Sequence, residues 1–286
     1  MWRRFAPSST CWFPWPTSTA SRRNDPGSDE RPRSAPLPPL MPTRLAILSD
    51  IHSNVFALRG VLADVRAAGV DEVLLLGDLF GYYPWARETW EEVATLSPVS
   101  VLGNHDQLVL GAAAGEPPPD PPPEYYPAAA QNARELPAAG LEWLGGLPHE
   151  HSRRTGGWWL RMVHGTPADP LEGRFYPDDR SLPSWLPKPD ELLLLGHTHY
   201  PLLRSIEGGG VLFNPGSVGQ PRDGDPRASW GLVELEGEGA PRISLRRVPY
   251  DVPATMERLQ GMGWPRRFIQ ALNKTAPGPL TLPAGE

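Results

Sequence analysis

Between residues 44 and 199, short apolar runs repeatedly stop on residues that carry chemistry. "RLAILS" is followed by Asp50 and His52, and "VLLLG" by Asp78. "VSVLG" is followed by Asn104, His105 and Asp106, "LRMV" by His164, and "LLLLG" by His197 and His199. Apolar runs this short, bounded by Gly or Ser, read as buried strands. In α/β sheets the ligand crevice lies outside the carboxyl ends of the strands. All of these polar groups are therefore expected on one rim.

The intervals support that layout. Val55, Leu58, Val61, Leu62 and Val65 fall on one helical face. "DEVLLLG" then reads as a second buried strand, and strand, helix, strand suggests a βαβ unit with parallel strands. Further helices are expected over 85–96, 128–135 and 141–147, with Pro137 separating the last two, and one or two more over 251–272. In residues 111–127, "GEPPPDPPPEYYP" has a proline density that blocks helix and central strand, so it reads as a surface loop. Beyond residue 157 the chain is strand-rich, and "SWGLVELEG" and "RISLRRV" flank a Gly-rich turn as an antiparallel pair. The expectation is one α/β domain with two packed sheets and helices outside.

Composition removes several function classes. The only cysteine among 286 residues is Cys11, so disulfide scaffolds and thiolate metal sites are excluded. No apolar run approaches the ~20 residues that cross a bilayer, so no membrane partner is expected. With 27 basic and 33 acidic residues the formal charge is −6, which gives no electrostatic footprint for stable nucleic-acid binding. Nothing points to an oxidising compartment, and a cytoplasmic protein is expected. Residues 1–40 are rich in Pro, Ser and Arg and lack the apolar core of a secretion signal. They read as a disordered or misannotated extension ahead of Met41. Residues 41–275 read as the folded domain and 276–286 as a flexible tail; the oligomeric state stays open.

A single histidine beyond a buried strand is ordinarily a satisfied structural residue. Here five of seven histidines join three aspartates and an asparagine at one edge. Burying so many polar groups is costly unless something pairs with them. Divalent cations accept imidazole, carboxylate and amide-oxygen ligands together, and this donor set admits manganese, iron, zinc, nickel or cobalt.

In order along the chain, "SDIHSN", "GDLFGY", "GNHD", "VHG" and "GHTH" resemble the motif series of calcineurin-like metallophosphoesterases. "FNPGSVGQPRDGDPRASW" and "LRRVPYDV" resemble one branch, the compact bacterial and archaeal YfcE/MJ0936-like phosphodiesterases. The resemblance covers about residues 43–273. It implies a four-layer α/β/β/α sandwich of two packed mixed β-sheets flanked by helices. It also implies two divalent metal ions, with Mn²⁺ or Fe favoured and Zn²⁺, Ni²⁺ or Co²⁺ compatible. Asp50, His52, Asp78 and His199 match the ligands of the first metal. Asp78, Asn104, His164 and His197 match those of the second, with Asp78 bridging. His105 matches the catalytic histidine, with Asp106 expected to orient it.

The implied reaction is attack on a small phosphate ester by a metal-bridging hydroxide, with His105 giving a proton to the leaving alkoxide. A phosphodiesterase acting on small, possibly nucleotide, substrates leads. A phosphomonoesterase, either a protein phosphatase or a dinucleoside tetraphosphatase, would use the same centre. A non-catalytic interaction scaffold of the Vps29-like kind is opposed by the intact ligands and His105.

Other residues keep two readings. Arg222 either clasps a substrate phosphate or pairs with Asp223 or Asp225. Tyr82 and Tyr83 either stack on substrate or cover apolar surface. Asn54 either caps the following helix or approaches the first metal. Residues 214–217 form a strand-ending turn whose backbone either lines the site or only turns the chain. Trp85 adds bulk near the presumed pocket. His149 and His151 read as solvated in a polar loop. Ser53 stands where the family often has Gly, which is acceptable unless the backbone there needs positive φ.

Overall fold

Along β1 (Thr43–Leu48) every residue from Leu45 onward is buried, and the two faces feed different cores. Ala46 and Leu48 enter one cluster, Leu45 and Ile47 another. A strand with two apolar faces must lie between two layers. The computed structural model describes residues 42–120, 122–237 and 239–273; the expectations for 1–40 and 276–286 lie outside them.

After β1 come α1 (Val55–Ala68), β2 (Glu72–Leu75), α2 (Ala86–Ala94), β3 (Val99–Ser100) and α3 (Asn104–Ala113). Next are α4 (Tyr126–Glu135), α5 (Ala138–Gly145), β4 (Glu150–Thr155), β5 (Trp158–Val163) and β6 (Glu191–Leu194). The chain continues through β7 (Pro201–Ser205), β8 (Val211–Pro215), β9 (Ala228–Leu235), β10 (Arg242–Val248), α6 (Val252–Gly261) and α7 (Arg266–Ala271). The first sheet has the order β10-β9-β1-β2-β3, with β1, β2 and β3 parallel and β9 antiparallel to both neighbours. The second runs β4-β5-β6-β8-β7, with β5, β6 and β8 parallel and the two edges antiparallel. The two mixed sheets flanked by helices are those expected.

The sheets meet through Leu45, Ile47, Leu74, Leu76 and Val233 on one side and Leu160, Met162, Leu192, Leu194 and Phe213 on the other. Gly231 sets how closely they approach, because a Cβ there would lie 2.3 Å from Phe213 Cε1. The far face of the first sheet packs on α1 and neighbouring helices through Ala46, Leu48, Leu58, Leu62 and Leu75. The far face of the second is covered by Phe175, Trp185 and Leu186 from the long segment between β5 and β6.

Local signals explain the helix ends. The Asn54 side chain accepts from Ala57 N at 3.2 Å, so the capping reading of Asn54 holds. α1 then stops at Gly69, whose φ of 62° is left-handed. The proline-dense segment between α3 and α4 has no helix or strand among its described residues. Three elements lie outside the sequence-based expectation: α3, β7 and β4. The polar loop expected around His149 and His151 is a strand from Glu150, paired from Glu150↔Val163 to Thr155↔Trp158. It is an edge strand without an apolar face, which is why alternation does not reveal it. His149 is exposed and His151 partly buried. Among the described residues no helix is long and apolar enough to cross a membrane.

Gly231→Ala is expected to destabilise the fold by about 1–3 kcal/mol through overpacking against Phe213. Adding Phe213→Leu should recover part of that loss. Urea unfolding midpoints of the two variants check this.

Candidate metal centre

Every chemistry-bearing residue of the rim follows the carboxyl end of β1, β2, β3, β5 or β6. The backbone there is unusual. Asp50 (φ 54°), His52 (51°), Ser53 (60°), Asp78 (52°), His197 (64°) and His199 (63°) are left-handed without being glycine. Each such residue costs roughly 1–2 kcal/mol, so the conformation must be imposed by surrounding bonds. Ser53 thus occupies the positive-φ position on which its fit was conditional, and His197 and His199 are both left-handed as well.

Bonds beyond the strand ends impose this shape. His52 N and Ser53 N donate to Asp78 O and Leu79 O, both at 2.9 Å. Asn132 of α4 ties the same loops with its side chain. Its Oδ1 accepts from Ser53 Oγ at 2.6 Å and Gly81 N at 2.8 Å, and its Nδ2 donates to Tyr83 O at 2.9 Å. On the other side, Asn214 Nδ2 donates to Gly196 O at 2.7 Å, and Ser217 Oγ donates to Asp50 O at 2.8 Å. The turn at 214–217 therefore supports the site through side chains.

The expected ligands converge as two groups. In the first, Asp50 Oδ1 lies 3.3 Å from His199 Nε2 and 3.7 Å from His52 Nε2, and the two imidazole nitrogens are 3.0 Å apart. In the second, His164 Nε2 is 3.1 Å from Asn104 Oδ1, 3.2 Å from His197 Nδ1 and 3.3 Å from Asp78 Oδ2. Asp78 Oδ2 is also 3.7 Å from His52 Nε2, so this carboxylate faces both groups. Asp50 with His52 and His199, and Asp78 with His164 and His197, each have the spacing to hold a metal ion. The ligand atoms of His52, Asp78 and His105 form a third such group, which brings His105 beside the other two.

The protonation pattern fits cations. His199 Nδ1 lies 2.7 Å from Gln220 O, and His164 Nδ1 lies 2.7 Å from Leu76 O. A carbonyl oxygen requires a donor, so each ring carries its proton on Nδ1 and turns Nε2 inward. Burial lowers the pKa of His199 and holds it neutral, so its Nε2 is a bare lone pair aimed at Asp50 and His52. Asp50 Oδ1, His52 Nδ1, His105 Nδ1 and His197 Nε2 are buried without a hydrogen-bond partner. Burial holds His105 down at about 4 and His197 at about 3, and drives His52 well below its usual range. His164 is the exception. Burial opposes its charge, but the nearby Asp78 and Asp50 carboxylates carry its pKa up to about 9. The cluster thus draws a positive charge to the place where a cation fits.

Asp106 departs from expectation. It makes no hydrogen bond to His105. Its Oδ1 accepts from Leu79 N at 2.9 Å and Phe80 N at 3.0 Å, and its Oδ2 from Gly103 N at 3.1 Å. Asp106 therefore fastens the Asp78 loop to the start of α3. Its pKa is raised to about 7, by burial and then by the Asp78 charge. Gly103 is required there by close approach, since a Cβ would lie 2.1 Å from Asp78 Oδ1.

Around this cluster stands an aromatic rim. Tyr82 lies 4.4 Å from the His52 ring centroid and 4.5 Å from that of His105. The Arg222 guanidinium donates to Tyr82 Oη at 3.1 Å and Gln220 Oε1 at 3.3 Å. The ion pair considered for Arg222 does not form: Asp223 pairs with Arg247 and Asp225 with Arg227. Tyr83 and Trp85 lie in the cluster beneath α6 and α7, so Trp85 belongs to core packing there. Sequence reasoning misses three residues. Tyr125 stacks on His105 with centroids 4.1 Å apart, and Glu172 Oε2 lies 3.9 Å from His197 Nε2. Neither sits on a periodic segment. Asn132 does leave a signal, an amide on the alanine-rich buried face of α4.

Two packed mixed sheets with nitrogen and oxygen donors gathered at their strand ends define an α/β protein of the metal-dependent phosphoesterase class. Residues 43–238 match the model of the calcineurin-like phosphoesterase superfamily domain, and the chain belongs to that superfamily. It is 30% identical over 238 residues to the uncharacterized protein MJ0912 of Methanocaldococcus jannaschii, covering 77% of this chain and 93% of that protein. A metallophosphoesterase from Sphaerobacter thermophilus superposes with a TM-score of 0.64 at 30% identity, over 82% of this chain and 100% of the other. The hypothetical protein PH1004 of Pyrococcus horikoshii shares the fold, with a TM-score of 0.66 at 21% identity, over 82% and 99% of the two chains.

Asn132→Ala leaves Gly81 N–H and the Ser53 hydroxyl unpaired, and should cost about 2–4 kcal/mol of stability. Ser53→Gly loses the same hydroxyl bond but relieves a left-handed serine, and should cost under about 1 kcal/mol. Urea denaturation of both variants tests the difference.

Proposed function

We propose that the chain is a metal-dependent phosphodiesterase acting on small phosphate esters. The observation that carries this reading is the shared Asp78 carboxylate, which faces two groups of inward-turned nitrogen and oxygen atoms. Asp50, His52, Asp78 and His199 would hold one divalent cation, and Asp78, Asn104, His164 and His197 a second. When bound, such cations supply Lewis acidity, lowering the pKa of coordinated water and offsetting charge on phosphoryl oxygens. Manganese or iron suits the set of imidazole and oxygen ligands.

The chain's own residues divide the remaining work. His105 stands beside both ligand groups as a buried, neutral imidazole. In this reading its N–H hydrogen-bonds the leaving oxygen and offsets the negative charge that develops there. Tyr125 and Tyr82 pack against the His105 ring and hold its plane. Arg222, braced by Tyr82 and Gln220, presents a guanidinium toward a phosphoryl oxygen. Asp106 acts at a distance, by anchoring the loops that carry Asp78 and His105.

Diester over monoester is favoured by charge. Arg222 is the guanidinium hydrogen-bonded into the rim, and Glu172 adds a carboxylate near His197. A monoanionic diester suits that balance better than a dianionic monoester.

The test is hydrolysis of bis-p-nitrophenyl phosphate and p-nitrophenyl phosphate by metal-stripped protein resupplied with manganese. The diester is expected to be preferred, and turnover should fall by about 10²-fold or more in His105→Ala with metal content retained. Asp78→Asn should lose both metals by elemental analysis, whereas His197→Ala should lose one. Monoester preference would move the reading to a phosphatase. Stoichiometric metal with no turnover would favour the scaffold.

A further inference from the structure

Beside Asn104 opens a cleft of about 410 Å³, walled by α3, the proline-dense loop and the segment at Leu171–Glu172. This is near the small end of ligand sites, which span about 300–1,000 Å³, so it suits one small arm better than a protein surface. We propose that it seats a nucleoside arm of the substrate whose base carries an exocyclic amine. The inference deepens the phosphodiesterase reading and rests on it for the statement that the nucleoside is part of an ester.

Position comes first. Asn104 lines the cleft and also lies 3.1 Å from His164 Nε2, so the cleft begins where the ligand groups end. Tyr125 lines it too and backs onto the His105 ring at 4.1 Å. An ester arm departing on the His105 side has this space to occupy.

The lining then selects the arm. Leu108, Pro123 and Leu171 give apolar walls and Tyr125 an aromatic one, suited to a flat ring. Its polar lining is Asn104, Gln107 and Glu172, with Glu172 Oε2 3.9 Å from His197 Nε2. A carboxylate accepts hydrogen bonds only, so Glu172 asks for an N–H and opposes a carbonyl oxygen. The nearby cation, Arg174, is tied to Glu172 Oε2 at 3.3 Å. Nothing in that lining neutralises further phosphates, so a polyphosphate arm fits poorly. Adenine and cytosine meet the description through their amines, whereas uracil has no amine and offers only an N3–H flanked by two carbonyl oxygens.

The experiment measures adenosine, cytidine and uridine binding to the manganese-loaded full chain by calorimetry and ligand-observed NMR. Adenosine and cytidine are expected to bind about tenfold more tightly than uridine, a discrimination in the range that hydrogen-bond matching supplies. Glu172→Gln should remove that preference, and Tyr125→Ala should weaken both amine-bearing nucleosides by about tenfold or more. Leu108→Trp should fill the cleft and abolish binding. Equal binding of uridine, unchanged affinity in Leu108→Trp, or no binding up to millimolar nucleoside would each overturn the proposal. Bis-p-nitrophenyl phosphate turnover is recorded on the same preparations. Turnover without nucleoside binding sinks this inference and leaves the hydrolase reading standing; binding without turnover does the reverse.

Discussion

A carboxylate that is 1% exposed and faces two imidazole nitrogens cannot remain ionised without positive charge beside it. Asp78 is that carboxylate. Burial raises its pKa, yet His164 and the neighbouring histidines pull it well below the usual carboxylate range. Without a cation the compensating charge is a proton on His164. A cation placed among the same atoms replaces that proton and also engages lone pairs that otherwise have no partner. Affinity and pH are thereby linked: metal competes with a proton whose own pKa is about 9. Asp50 repeats the arrangement on the other side, with Oδ2 taken by Ser49 Oγ at 2.6 Å and Oδ1 left facing His52 and His199.

That requirement reaches into the scaffold. Holding several acceptors within hydrogen-bond range of one another is repulsive, so the backbone must be fixed ahead of any ion's arrival. The left-handed residues show the cost, and the buried amides show what offsets it. Asn132 joins α4 to the Ser53 and Gly81 loops, and Asn214 joins β8 to the Gly196–Thr198 turn. Asp106 does the same between Asp78's loop and α3. These residues touch no ligand position directly, yet each commits all or most of its bonding capacity to backbone beside one. Preorganisation of this kind is what lets a metal site hold its geometry while ligands exchange.

Much of this is legible in the amino-acid sequence. The strands β1, β2, β6 and β8 stand out as apolar runs because both of their faces are covered. The candidate ligand set is legible because it follows those runs directly, so one regularity carries both the fold class and the rim. The rest is hidden for physical reasons. β4 is an edge strand whose residues face partly outward, so it carries no apolar alternation. Adjacency in sequence pairs Asp106 with His105, but on a helix neighbouring residues point about 100° apart. For Ser53 the condition is legible, a positive φ, but only the tertiary bonds around it decide that angle. Tyr125 and Glu172 come from segments without period, and only tertiary packing brings them to the site.

The two sides of the rim differ in a way that bears on direction. On one side Arg222, Tyr82 and Gln220 form a braced, cationic edge suited to an anionic oxygen. On the other, Tyr125 and Leu108 give apolar lining and Glu172 a carboxylate acceptor. His105 lies between them, in contact with a tyrosine from each. A phosphate diester has the same polarity, a charged centre with neutral arms, and it can lie across such a rim in one sense only. If the proposed phosphodiesterase reading holds, its phosphoryl oxygens would fall toward Arg222 and one arm toward Tyr125. The arm that meets His105 is then the arm that leaves, so the asymmetry of the rim would choose which of two ester bonds is cut.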